Sequence, residues 1–127
     1  MVRKHFTPLQ ANSALPLVRR IVDDILERGR ELRRLAKQQH ESEDRARVGQ
    51  LETQLRELMA ELERIGCEYK DFSFDKGLVD FPGQIDGRDV LLCWRSDEPR
   101  VEWFHAYDAG FAGRARIPEH LLSASTP

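Results

Sequence analysis

Long apolar runs, cysteine and an excess of either charge are all scarce in this 127-residue chain, and each scarcity narrows what it can be. No segment approaches the roughly 20 apolar residues that a membrane helix needs, and the opening MVRKHFTPLQ has basic residues without the apolar stretch of a signal peptide. No membrane association is expected, and the chain reads as cytoplasmic. Its two cysteines, Cys67 and Cys93, imply no disulfide framework, and a reducing compartment keeps both as thiols. The 20 basic residues nearly cancel the 22 acidic ones, which argues against indiscriminate binding to nucleic acid.

What is abundant is charge of both signs: 33% of the residues, against roughly 25% in ordinary soluble proteins, a surplus that suits long solvated helices. Thr7, Pro8 and Gln10 form a helix start, with Thr7 as N-cap, Pro8 at the first helical position and Gln10 returning a bond to the Thr7 backbone. Pro16 is expected to break or kink this opening turn before a longer helix begins near Leu15. From there Val18, Val22, Ile25, Gly29, Leu32 and Ala36 recur at steps of four and three, with Ile21, Leu26 and Leu35 widening the seam. The polar stretch Gln38–Asp44 reads as the turn of a helical hairpin, with Ser42 as a cap. A second seam, Val48, Leu51, Leu55, Leu58, Leu62 and Ile65, has coiled-coil spacing and stops at Gly66. Two helices paired only with each other leave Leu26, Leu35 and Met59 partly uncovered, so a homodimer through the helices is expected.

Beyond Gly66 the helical period disappears. Glu68–Phe72, Asp89–Arg95 and Val101–Tyr107 carry strand patterns, while Gly77, Pro82-Gly83, Asp86-Gly87, Asp97–Pro99, Gly110 and Gly113 punctuate them as turns. The expected fold is α+β: one domain over 1–127, with a long antiparallel two-helix hairpin over 1–66, a small antiparallel β-sheet portion over 67–122 and a loose tail at 123–127. Residues 1–65 hold 13 basic and 11 acidic side chains, and residues 66–127 hold 7 and 11. The sheet half therefore suits a cation or a basic partner better than a phosphate polymer. The arginines of the first helix alternate with Asp23, Asp24, Glu27 and Glu31, a pattern of intrahelical pairing on a solvated face.

Candidate chemistry concentrates around LLCWRSDEPRVEWFH, residues 91–105. Cys93 as a nucleophile needs a base or a positive neighbour, which His105 and Arg95 can supply, with Glu98 as a further carboxylate. If Arg95 pairs with Val101, Cys93 faces Trp103 and shares a side with His105; a shift of one residue puts Trp94 there instead. The structural alternative is a buried cysteine and a hydrogen-bonded core histidine. A divalent transition metal is the second possibility, with Asp80, Cys93, His105 and Asp108 converging, although no standard ligand spacing is present. In the alternative, Asp80 and Asp108 brace the Gly77 turn and the Gly110 loop. Gly110, Gly113, Arg95 and Arg114 suggest an anion-binding loop, against which stands an internal pair of Arg114 with Asp80 or Glu98 while Phe111 anchors the loop on the core. Both tryptophans, Trp94 and Trp103, are expected to pack on the base of the hairpin.

Phe6, Ala11-Asn12, Leu15-Pro16, Gly77-Leu78-Val79-Asp80-Phe81-Pro82, Leu92-Cys93-Trp94-Arg95 with Glu98, His105, and Gly110-Phe111-Ala112-Gly113-Arg114 occur in one order along nearly the whole chain. In this the sequence resembles the prokaryotic family known as domain of unknown function 2203. The resemblance implies a helical pair followed by a β-rich portion and carries no activity. Asp97 stands where the family pattern has glycine; it can take the left-handed turn conformation less readily than glycine, and the turn is expected to survive. Two functions follow as expectations: an interaction or scaffold module that self-associates through its helices, or a small-ligand or metal-binding protein, with hydrolytic chemistry as an extension, using a polar pocket in the β-rich half.

Overall fold

The computed structural model describes residues 5–38 and 42–123. Helix α1 spans Pro8–Ala36 and helix α2 spans Ser42–Ile65. The expected capping box starts α1: Thr7 Oγ1 accepts the Gln10 N–H at 3.1 Å and Gln10 Oε1 accepts the Thr7 N–H at 3.0 Å. Pro16 does not break the helix, contrary to the sequence expectation. Leu15 and Val18, both buried, hold this stretch on the core, and tertiary burial outweighs the one helical hydrogen bond that proline removes. Asn12 ties the same turn to a residue outside the helix. Its Nδ2 donates to the Val101 carbonyl at 3.1 Å and its Oδ1 accepts the Val101 N–H at 2.8 Å.

The expected interhelical turn falls partly on residues 39–41, and the expected loose tail mostly on 124–127, which lie outside the described residues. Ser42, read as a cap, is the first residue of α2. The two seams meet: Val18, Val22, Ile25 and Gly29 of α1 and Leu51, Leu55 and Leu62 of α2 are buried. Leu26, expected to stay partly uncovered, is buried as well, while Leu35 and Met59 are half-buried. A bidentate pair from Arg47 to Glu31, 2.8 Å at each oxygen, and a 3.1 Å bond from Arg28 to Gln54 tie the helices at their polar margin.

Five strands follow in antiparallel sequential order: β1 Glu68–Tyr69, β2 Leu78–Ile85, β3 Arg88–Arg95, β4 Trp103–His105 and β5 Ala115–Arg116. This α+β arrangement is the one expected, although the sequence reading placed no strand at β2 or β5 and three further local readings change. β1 stops before Phe72, which is exposed, and β4 is shorter than Val101–Tyr107. Pro82-Gly83 is no turn but the middle of β2. The pairing of β1 ends opposite Asp80, so Pro82 lies on an edge where its missing N–H costs nothing. Phe6 uses that edge, donating its N–H to the Pro82 carbonyl at 2.7 Å. Gly83 permits the approach, since a β-carbon there would lie 2.6 Å from the Phe6 oxygen. The expected Asp86-Gly87 turn joins β2 to β3, with φ of 52° and 78°, the left-handed pair that a two-residue hairpin turn requires.

Alternation along the strands gives the sheet two different faces. Val79, Phe81, Val90, Leu92 and Trp94 face the helices and join Val18, Val22, Ile25, Leu55 and Leu62 in one hydrophobic cluster. Leu78, Asp80, Leu91, Cys93, Trp103 and His105 occupy the opposite face, by the pairings Asp80 with Cys93, Cys93 with Trp103 and Leu91 with His105. Trp103 therefore does not pack on the hairpin as expected. Arg28 makes the expected intrahelical pair with Asp24 at 3.7 Å, while two arginines of α1 reach the β1–β2 connection rather than pairing along the helix: Arg30 donates to the carbonyls of Phe74 and Asp75, each at 3.0 Å, and Arg33 pairs with Asp75. These bonds seat the buried Phe74 ring against Gly29, where any β-carbon would collide with it.

Candidate metal centre

The strand register settles the question left open by the sequence. Cys93 stands opposite Trp103, so Asp80, Cys93 and His105 come from three neighbouring strands to one face. Asp80 is 5% exposed, His105 4% and Cys93 0%, yet Cys93 lies outside the hydrophobic cluster shared with the helices. One ligand atom from each of the three lies within 4.8 Å of the other two. Tetrahedral zinc with sulfur, nitrogen and oxygen ligands spaces them by roughly 3.5 Å, so small side-chain adjustments bring the set into range.

Hydrogen bonding orients the histidine. The Nδ1 of His105 lies 2.8 Å from the Ala106 carbonyl, which can only accept, so Nδ1 carries the hydrogen. Its Nε2 points at Asp80 Oδ1 at 3.3 Å. In the neutral ring Nε2 is a bare acceptor facing a second acceptor, and a proton or a cation between them is what makes this approach favourable. A ring nitrogen held by a backbone carbonyl while the other faces outward is the usual support of a metal-ligating histidine.

Burial pushes the Cys93 thiol up to about 12, and the Asp80 carboxylate beside it works in the same direction, while Arg114 opposes both. A thiol in that state is a poor nucleophile at neutral pH, so the arrangement does not favour cysteine catalysis by itself. A bound cation reverses the balance, because a coordinated thiol gives up its proton.

The other expected residues lie elsewhere. Asp108 is exposed in the turn after β4 and is not part of the three-residue group. Asp80 does not brace the Gly77 turn: Ser96 does, its Oγ accepting the Gly77 N–H at 2.9 Å and its N–H meeting the Gly77 carbonyl at 2.8 Å. Glu98 organises the β3–β4 connection, accepting the Arg95 N–H at 2.7 Å and pairing with Arg114 at 2.6 Å. Of the two acidic partners proposed for Arg114, this is the one it takes. Asp97 bonds Arg95 and Lys76, and the turn survives as expected, the Glu98 N–H donating to the Arg95 carbonyl at 2.8 Å, without the left-handed conformation, which among the non-glycine described residues occurs at Phe74 and Asp86.

Gly110, with φ of 66°, opens a 3-10 turn over Phe111–Gly113. The N–H groups of Gly113 and Arg114 are used within it, donating to Gly110 and Phe111, which leaves them unavailable to an anion. Phe111 is not anchored in the core. It is 38% exposed and lies across the guanidinium groups of Arg114 at 4.4 Å and Arg95 at 5.5 Å.

Sequence reasoning missed a cleft of about 350 Å³ bounded by Lys70, Asp71, Lys76, Leu78, Arg95 and Phe111. Its residues are scattered over 42 positions, and no local pattern joins them. Among the described residues no helix is long and apolar enough to cross a membrane.

No curated protein and no solved structure matches the chain. The profile of an uncharacterised conserved protein family, DUF2203, matches residues 4–117, a span that includes Phe6, the Asn12 clasp, the three buried ligand-type side chains and the Arg114–Glu98 pair, and the chain belongs to that family.

Proposed function

We propose that this protein binds a divalent transition metal, zinc being the best fit, through Asp80, Cys93 and His105. The observation that carries the reading is the buried meeting of the three side chains, with His105 Nε2 directed at the Asp80 carboxylate. Imidazole and thiolate favour a transition metal over calcium or magnesium, and one carboxylate is compatible with zinc. Three protein ligands leave a fourth position for water or a substrate atom, which is the requirement for metal-assisted hydrolysis. A cytoplasmic setting agrees with this use, because the ligand must be a reduced thiol.

The test is elemental analysis of protein purified without chelator or affinity tag, followed by a zinc titration of the stripped protein. One metal per chain is expected, together with a thermal midpoint raised by roughly 5–10 °C when zinc is about a hundredfold above its dissociation constant. Cys93→Ser and His105→Ala should abolish the zinc-dependent rise. Equal midpoints with and without zinc, and no metal in the native preparation, would refute the proposal.

A homodimer through the helices is a separate proposal. It is supported by the half-buried Leu32, Leu35, Leu58 and Met59 along the helical pair. The exposed large apolar side chains among the described residues are Leu9, Leu17, Phe72, Tyr107 and Phe111, none of them in the seam. Sedimentation equilibrium is expected to give twice the chain mass, unchanged by zinc; a monomer mass at all concentrations would end this proposal.

A further inference from the structure

The metal reading leaves one coordination position open, and the side chain nearest in character to an anion clamp is Arg114. Its side chain is 9% exposed and its guanidinium lies between two rings, 4.8 Å from Trp103 and 4.4 Å from Phe111. One terminal nitrogen holds Glu98 at 2.6 Å. The Nε–H, by contrast, is buried with no hydrogen-bond partner. A buried donor left unmet costs free energy that an added acceptor recovers. The charge is also close to the candidate centre, since Trp103, the ring that Arg114 lies over, is the strand partner of Cys93.

An approach for such an acceptor exists on the same face. Leu78 and Arg95 form the rung beside Asp80 and Cys93, two residues along each strand and about 7 Å away. Both line the cleft of about 350 Å³, whose charged walls are Lys70, Lys76, Arg95 and Asp71, the three cations being paired with Glu68 and Asp97. Phe111 is at once a wall of this cleft and the cover of the Arg114 guanidinium.

Resting on the metal reading above, we infer that the fourth position of the metal takes a small oxyanion, the carboxylate or phosphate group of an organic ligand, held by the Nε–H of Arg114. The planar guanidinium, fixed by two rings and Glu98, is positioned in advance for such a group. The metal and Arg114 hold the head of the anion.

The test uses the full chain loaded with cobalt(II), whose visible bands report its ligands. Sodium phosphate and sodium acetate are titrated separately at an ionic strength held constant with chloride. A saturable band shift with either anion is expected, and which anion binds more tightly tells phosphate from carboxylate. In the double variant Arg114→Met/Glu98→Gln, which removes both charges of the pair together, cobalt should still bind one per chain while anion affinity falls by about tenfold or more. Cobalt bound with no response to either anion beyond that to chloride would overturn this inference and leave the metal reading standing. Unchanged anion affinity in the double variant would also overturn it. Failure of wild type to bind cobalt would remove both. If the double variant does not fold, the wild-type titrations decide alone.

Discussion

Replacing Glu98 by alanine is expected to lower stability by about 3–5 kcal/mol, because it leaves the Arg114 guanidinium buried without its counter-charge. In this protein that corresponds to a thermal midpoint lower by roughly 10–15 °C. Glu98 has two partners to lose. Its carboxylate accepts the Arg95 N–H at 2.7 Å and the Arg114 side chain at 2.6 Å, and the two side chains of the pair are 12% and 9% exposed. Glu98→Gln keeps an acceptor for the Arg95 N–H and removes only the charge, so its loss should be smaller. The double variant Glu98→Gln/Arg114→Met should lose less than Glu98→Ala, since neither charge is then stranded. Urea denaturation of the three variants checks the order. A Glu98→Ala protein as stable as wild type would mean that the pair is solvated, contrary to its burial.

Trp94→Ala should cost a similar amount, about 3–5 kcal/mol, for a different reason. Trp94 is the largest of the fully buried side chains and faces the helices from the middle of the sheet. Its removal opens a cavity under α1 and deletes the 3.0 Å bond from its indole Nε1 to the Glu98 carbonyl. Arg19 also lies over the ring at 5.0 Å and donates to the Pro99 carbonyl, so the helix loses one of its holds on the β3–β4 connection. Trp94→Phe fills part of the space and should recover part of the loss. Chemical denaturation followed by circular dichroism measures both, and a loss under about 1 kcal/mol for Trp94→Ala would contradict the packing described. Because Trp94 and Glu98 support one turn, their effects should not add.

The candidate site was legible in its members and not in its selection. Cys93 and His105 stood out as reactive side chains close in sequence, and Asp80 as an acid beside a glycine turn. Asp108 looked as good a ligand as Asp80 because it is only three residues from His105. The sheet decides between them: Asp80 is paired directly with Cys93 across two strands, whereas Asp108 belongs to the turn beyond β4. The same applies to Trp94 and Trp103, which look alike in sequence. Their opposite places in the pleat send one into the core and leave the other under Arg114 and Arg116.

By itself the sequence determined the α+β class, the capping box at Thr7, the two helical seams and the Asp86-Gly87 hairpin turn. Each depends on interactions among residues a few positions apart, where periodicity, capping chemistry and left-handed backbone preference act directly. Only the tertiary structure decided that α1 continues through Pro16, that Pro82-Gly83 lies within a strand, which acid joins Cys93 and His105, and that Arg114 holds Glu98. In every one of these cases the partner is distant in the chain. Strand register assigns each side chain to a face, and register is set by pairing across the sheet and by burial of one face against the helices, quantities that no local stretch of residues contains.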